Sequence, residues 1–233
     1  MWVAISQRNS RSDNVSDRDI LENAYVKYFE GFGIKLIQIP NASQDIGLYF
    51  EELPIKAIIL SGGNDINPEL YKQKPVNVRN LSIFRDNTER KLLEIAIKNG
   101  LPVLGICRGM QFINVFFGGR IIQNIKEQNR SEVGHVATRH SVKITDHNLS
   151  ELFGNTMIGV NSYHNQGISK ECLPPELKVF ALSEKDGIIE GIHHQNYPIA
   201  GIQWHPERSG STKEYDKKII KAFIECQLFW SRK

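Results

Sequence analysis

The feature that most constrains this chain lies within residues 101–117. Leu101-Pro102-Val103-Leu104 is an apolar run of the length a buried strand needs, and Phe112, Val115 and Phe116 recur at helical spacing. Between them stands Gly105-Ile106-Cys107-Arg108-Gly109-Met110-Gln111. The pattern reads as strand, sharp turn and helix, with a cysteine at the turn. A residue pushed out at the end of a strand takes a strained backbone conformation, and its neighbours must lack side chains for the chains to pass. The unpaired N–H groups of the new helix lie near the sulfur and favour a thiolate. The competing reading is a cysteine that serves as a small core hydrophobe.

A thiolate at such a turn needs a base. Gly201-Ile202-Gln203-Trp204-His205-Pro206-Glu207 offers one. An apolar strand ends near His205, and Glu207 follows two residues later. The carboxylate can hold one imidazole nitrogen, leaving the other for the sulfur. Cys107, His205 and Glu207 thus form a candidate catalytic set of nucleophile, base and orienting acid. His164 is the rival base. The local sequence places no carboxylate beside it, so a role in shaping the pocket is the expectation there.

Length and composition narrow the classes. At 233 residues the chain is expected to form one domain over residues 1–233, and a hydrophobic share of 40% supplies a substantial core. A formal net charge of +3 is too mild for a nucleic-acid binder. The three cysteines, Cys107, Cys172 and Cys226, match neither a disulfide framework nor a zinc pattern. His193-His194 are neighbours on a strand and point to opposite faces, so no metal set is expected. The apolar N-terminal residues lack a basic leader, and no apolar run approaches the length of a membrane span. The expectation is a cytoplasmic protein with no membrane or nucleic-acid partner.

Along the chain, strands are expected at 2–5, 34–39 and 57–60, with helices at 17–30 and 46–53. Residues 6–16 read as a loop at a strand's carboxyl end, where Arg8 and Arg11 either meet an anionic substrate or stand in solvent. Residues 67–84 read as a long irregular segment carrying Lys72, Lys74 and Arg79, a candidate lid or leaving-group site. Asp86 to Glu89 reads as a helix start with a back-reaching glutamate. Residues 120–123 read as extended, and 126–139 as a surface loop holding His135. Five strands follow, at 140–144, 156–160, 178–182, 188–192 and 198–202, forming an antiparallel extension. A helix over 213–230 closes the chain. The fold class is α/β, a central mostly parallel sheet flanked by helices.

The stretches at 105–111 and 201–207 resemble the two signatures of class I glutamine amidotransferases. The chain is most similar to the stand-alone gamma-glutamyl hydrolases of the peptidase C26 type, and the resemblance carries a flavodoxin-like core. It implies hydrolysis of a gamma-glutamyl amide through a glutamyl thioester, with no cofactor. It also implies site roles. The strand-end turn Ser61-Gly62-Gly63-Asn64, on its own an ordinary glycine turn, would supply the Gly63 N–H to an oxyanion hole completed by the Arg108 N–H. Gln111 would help hold the glutamyl part. Backbone N–H groups around Ser162 and Tyr163 would bind its alpha-carboxylate. Arg85, Asp86 and Glu89 also resemble positions of the hydrolase pattern. The partner implied is a small gamma-glutamyl substrate. The overall run of residues looks like the narrower group that cleaves gamma-glutamyl-CDP-amidate in capsule phosphoramidate synthesis. A gamma-glutamyl-aminobutyrate hydrolase, or a glutaminase feeding ammonia to a separate synthetase, is the alternative.

Overall fold

The computed structural model describes residues 1–11, 16–128, 133–210 and 213–226; the Arg11 side chain lies outside that description. In chain order the strands are β1 (Trp2–Ile5), β2 (Arg8–Arg11), β3 (Asp17–Ile20), β4 (Lys35–Gln38), β5 (Ile55–Leu60), β6 (Val103–Ile106), β7 (Thr138–Ile144), β8 (Met157–Ser162), β9 (Leu177–Ser183), β10 (Ile189–His194) and β11 (Ile199–Ile202). The helices are α1 (Asn23–Glu30), α2 (Gly47–Glu52), α3 (Ile83–Asn99), α4 (Arg108–Phe116), α5 (Ile125–Gln128), α6 (His147–Phe153) and α7 (Lys213–Ile224).

Nine strands make one sheet in the order β4-β1-β5-β6-β11-β10-β9-β7-β8. The half from β4 to β11 is parallel and the half from β10 to β8 is antiparallel. The parallel strands β6 and β11 are buried at every position, as a sheet covered on both faces requires. Strand alternation divides the core. Val3 and Ile5 pack with Phe29, Ile219 and Phe223 on one face, while Ala4 packs with Leu92, Met110 and Ile113 on the other. The expected antiparallel extension is therefore continuous with the parallel sheet, joined through the β11–β10 ladder.

The structure corrects several local expectations. Residues 8–11 and 17–20 form an antiparallel hairpin in place of a loop and the first turn of a helix. Asp19 is drawn away from helical geometry because its carboxylate accepts from Asn9 and from the backbone and side chain of Asn41. Helix α3 starts three residues earlier than expected, with the Ser82 hydroxyl accepting from Arg85 N. Asp86 thus ends the first turn and Glu89 lies inside the helix. Residues 120–123 contribute only an isolated bridge, Ile122 to Gly167. Among the five expected strands lies a short helix, α6, capped by Asp146 and ended by Gly154 at φ 69°. His135 is buried, not on a surface loop. Of the expected 126–139 loop, residues 129–132 are outside the described set, as are 227–230 of the closing helix.

Candidate active site

Strand β6 ends at Ile106, and the chain reverses sharply at Cys107 with φ 54° and ψ −104°. This is a strained conformation for an L-residue, and it sits directly before α4. Both flanking glycines are needed. A Cβ on Gly109 would lie 2.1 Å from the Leu60 carbonyl oxygen, and one on Gly105 would lie 2.6 Å from Met110 N. Both clashes are with backbone, which has no room to give.

Neighbouring strands bring the imidazole to the sulfur. β6 and β11 pair in parallel with Gly105 opposite Gly201 and Ile106 opposite Ile202. Cys107 N donates to Ile202 O at 2.8 Å, continuing that ladder past the strand end. His205 follows three residues later. Its Nδ1 donates to Glu207 Oε1 at 2.6 Å, leaving Nε2 for the cleft. Asn161, at the end of β8, clamps the histidine backbone: its Oδ1 accepts from His205 N and its Nδ2 donates to His205 O. Burial disfavours charge on His205, yet interaction with the Cys107 sulfur and with Glu207 outweighs it and raises the ring from 6.5 to about 9. Gly62 lies under the ring; a Cβ there would stand 2.8 Å from His205 Cε1. The Tyr25 hydroxyl accepts from Gly62 N, and burial, then Glu207, push its proton affinity well up.

The turn at 61–64 is held by a buried charge cluster. Arg85 donates to Ser61 O at 2.7 Å and to Asn64 Oδ1 at 3.1 Å, and Arg108 Nε donates to Asn64 O at 3.1 Å. Glu89 accepts from both arginines, and Asp86 pairs with Arg108. Glu89 also accepts from the Ser6 hydroxyl at 2.8 Å. Burial, followed by the neighbouring Arg108, lowers Arg85 to about 10, still charged at neutral pH. Burial raises Asp86. Arg85, Asp86 and Glu89 therefore position the glycine turn, where the sequence favoured helix capping. Gly63 has φ 129°, and a Cβ there would meet Arg85 Nη1 at 2.6 Å. Only glycine fits.

A cleft of about 1140 Å³ gathers these parts. Cys107, His205, Gly63, Arg108, Gln111, Tyr163 and His164 all line it. The Gln111 amide donates to Gln166 O and to Gln203 Oε1. Glu207 sits behind His205, away from the lining. Ser162 is also absent from the lining: its hydroxyl turns back to donate to His135 O at 2.8 Å. His164 does have a carboxylate nearby, because Glu190 of β10 comes within 3.6 Å of its Nε2 across the sheet. That neighbour is tertiary and was invisible in local sequence. Of the cationic residues singled out, Arg8 and Arg79 reach the cleft, joined by Arg208, whereas Lys72 and Lys74 do not. Arg208 also stacks over Tyr163 and pairs with Glu22. The 67–84 segment forms one wall through Arg79 and the exposed Ile83 and Phe84. Asn161, Tyr25 and Glu22 were not assigned roles from sequence; only the strand before Ser162 hinted at the first.

Comparisons with known proteins agree with this architecture. The chain is 32% identical over 209 residues to gamma-glutamyl-CDP-amidate hydrolase of Campylobacter jejuni, covering 89% of this chain and 90% of that one. It is 29% identical over 223 residues to gamma-glutamyl-gamma-aminobutyrate hydrolase of Escherichia coli O157:H7, covering 89% and 86%. In fold it is similar to a solved Thermoplasma acidophilum structure described as a GMP synthase subunit, with a TM-score of 0.67 at 21% identity, covering 97% and 94% of the two chains. The peptidase C26 family model matches residues 3–207, a span that takes in the strained cysteine turn and ends on Glu207, and the chain belongs to that family.

Proposed function

We propose that this protein is a cysteine hydrolase that cleaves gamma-glutamyl amide bonds. The observation that carries the reading is the union of Cys107, at a strained turn, with a His205 whose proton affinity the sulfur itself raises. In this mechanism the Cys107 thiolate adds to the gamma-carbonyl carbon. The N–H groups of Gly63 and Arg108 receive the oxyanion, each worth on the order of 10²–10³ in rate. His205, protonated and oriented by Glu207, gives its proton to the departing nitrogen as the C–N bond breaks, leaving a glutamyl thioester. His205 then takes a proton from water, which adds to the thioester carbon and releases glutamate and the thiolate. Gln111 and the backbone at Tyr163 hold the glutamyl part, with Ser162 supporting that turn from behind the lining, and His164 shapes the wall.

For the leaving group we propose gamma-glutamyl-CDP-amidate, within capsule phosphoramidate synthesis in the cytoplasm. Similarity to the Campylobacter hydrolase supports the substrate. So does the cleft, where Arg79, together with Arg8 and Arg208 that share the single carboxylate of Glu22, offers charge for a diphosphate, and Phe84 and Tyr163 offer exposed rings for a base. Similarity to the aminobutyrate hydrolase favours gamma-glutamyl-aminobutyrate as the second candidate. A screen of purified protein against gamma-glutamyl amines, polyglutamates, glutamine and gamma-glutamyl-CDP-amidate tests the reading. The expected result is glutamate release without a partner, fastest from the nucleotide amidate. Turnover of amines with none of the nucleotide amidate removes the leaving-group assignment. Glutaminase activity only with an added synthetase replaces the hydrolase by an ammonia-donating component.

A pH profile provides a second check. With the folded value of His205 at about 9, against an ordinary 6.5, the stabilising pair is complete below 6.5 and is lost as pH rises through 9. Above that point the ring has no proton for the departing nitrogen. The expected outcome is a kcat/KM that falls across about pH 9, together with a falling Tm. A kcat/KM that stays level to about pH 10 would show that His205 is not the proton donor.

A further inference from the structure

Behind the cleft wall a carboxylate is enclosed by imidazoles. Glu190 is fully buried, and neither of its oxygens makes a hydrogen bond. Three ring nitrogens face its Oε1: His140 Nε2 at 3.2 Å, His164 Nε2 at 3.6 Å and His135 Nδ1 at 3.8 Å. All three histidine side chains are nearly inaccessible to solvent. His164 Nε2 and both nitrogens of His140 also lack a hydrogen-bond partner. A buried carboxylate is costly unless it is met by charge or hydrogen bonds, and these rings are its partners.

The outer sides of two rings fix which nitrogen carries a proton. His164 Nδ1 stands 2.8 Å from the Gln166 carbonyl oxygen, which only accepts, so that nitrogen is the donor. His135 Nε2 stands 2.8 Å from Asp186 Oδ2 and donates likewise. The Ser162 hydroxyl, 3.5 Å from His135 Nδ1, gives its hydrogen to the His135 carbonyl. In the neutral tautomers so fixed, both inner nitrogens point lone pairs at the carboxylate oxygen. A proton shared with the carboxylate would pull a pair to about 2.7–2.9 Å. A tetrahedral divalent ion with bonds of about 2.0–2.2 Å spaces its ligand atoms roughly 3.3–3.5 Å apart. The gaps around Oε1, from 3.2 to 3.8 Å, bracket that spacing. An outer carboxylate on one imidazole and a backbone carbonyl on another are the partners that metal-bound histidines use.

We propose that His135 Nδ1, His164 Nε2 and Glu190 bind a zinc-type divalent transition-metal ion. Their ligand atoms lie within 4.8 Å of one another, and His140 is the nearest candidate for the fourth position. This goes beyond the sequence reading, which foresaw no metal set, because the donors come from three separate segments. The ion's place is structural. It ties the segment holding His135 and the cleft-lining Val136, and the loop holding His164, to strand β10. It takes no part in the thiol chemistry and does not depend on that assignment.

The test uses the full chain carrying Cys107→Ser, so that the thiol cannot act as a rival ligand. After chelator treatment and dialysis, the protein is titrated with Co²⁺ and then Zn²⁺. The expected result is one equivalent of Co²⁺ with the intense visible bands of a four- or five-coordinate site. Zn²⁺ should displace it and raise Tm by several degrees. His135→Ala and Glu190→Gln should each weaken binding at least about 100-fold, and Asp186→Asn by about 10–100-fold. Asp186→Asn keeps its shape and reports even where the buried variants fail to fold. Absence of both cobalt bands and a Zn²⁺-dependent Tm shift would overturn the proposal. So would binding that Asp186→Asn and His135→Ala leave unchanged, or binding seen in the unsubstituted chain and lost with Cys107→Ser.

Discussion

Cys107→Ala is expected to lower gamma-glutamyl hydrolysis by at least about 10⁴-fold while leaving the chain folded. The size follows from the role: without the sulfur no thioester forms, and the oxyanion donors and bound water alone give little. The fold survives because Cys107 is a short side chain at the edge of the core, and the Cys107 N to Ile202 O bond is a backbone bond that alanine keeps. The measurement is initial rate on the best substrate of the screen, with circular dichroism to establish folding. A folded variant that still turns over at the unsubstituted rate would discard the thioester mechanism.

Glu89→Ala acts on stability instead. Its carboxylate accepts from Arg85, Arg108 and Ser6 in a site closed to solvent. Removing one member of a buried ion cluster leaves charge uncompensated, which costs about 3–5 kcal/mol. In a chain of this size that lowers Tm by roughly 10 °C. The surviving Asp86 partner softens the loss for Arg108, but Arg85 has no other carboxylate contact among the described residues. Because Arg85 also anchors Ser61 O and Asn64, kcat should fall further than the unfolded fraction explains. A Tm within about 2 °C of the parent would mean that the cluster contributes no net stability.

The parts legible in sequence are those whose signals are local. The strand before Cys107, its glycines and the helix after it declare themselves within a few residues. So do His205 and Glu207, whose pairing spans two positions. Helix α6 escaped because seven residues carry only two buried side chains, Leu149 and Phe153, too few to show a period; its caps, Asp146 and Gly154, were the usable signs. The pairing of β2 with β3 escaped because Asp19 is fixed by Asn41, a long-range contact. The same limit hid the Glu190 cluster and the role of Arg85 and Glu89. Charged residues on a helix read as solvated or capping until the tertiary partner that buries them is known.

The groups proposed to react and the walls around them are built differently. Cysteine and imidazole follow directly from β6 and β11, hydrogen-bonded in register at the centre of the sheet. The far side of the cleft is made by Arg79, Ile83 and Phe84, at the end of the irregular segment and the start of α3, and by the hairpin residue Arg8. Rewriting those outlying residues would leave the central spacing undisturbed. One bond-breaking apparatus can thus be retargeted to new amides by drift at its margins, while its own geometry stays frozen.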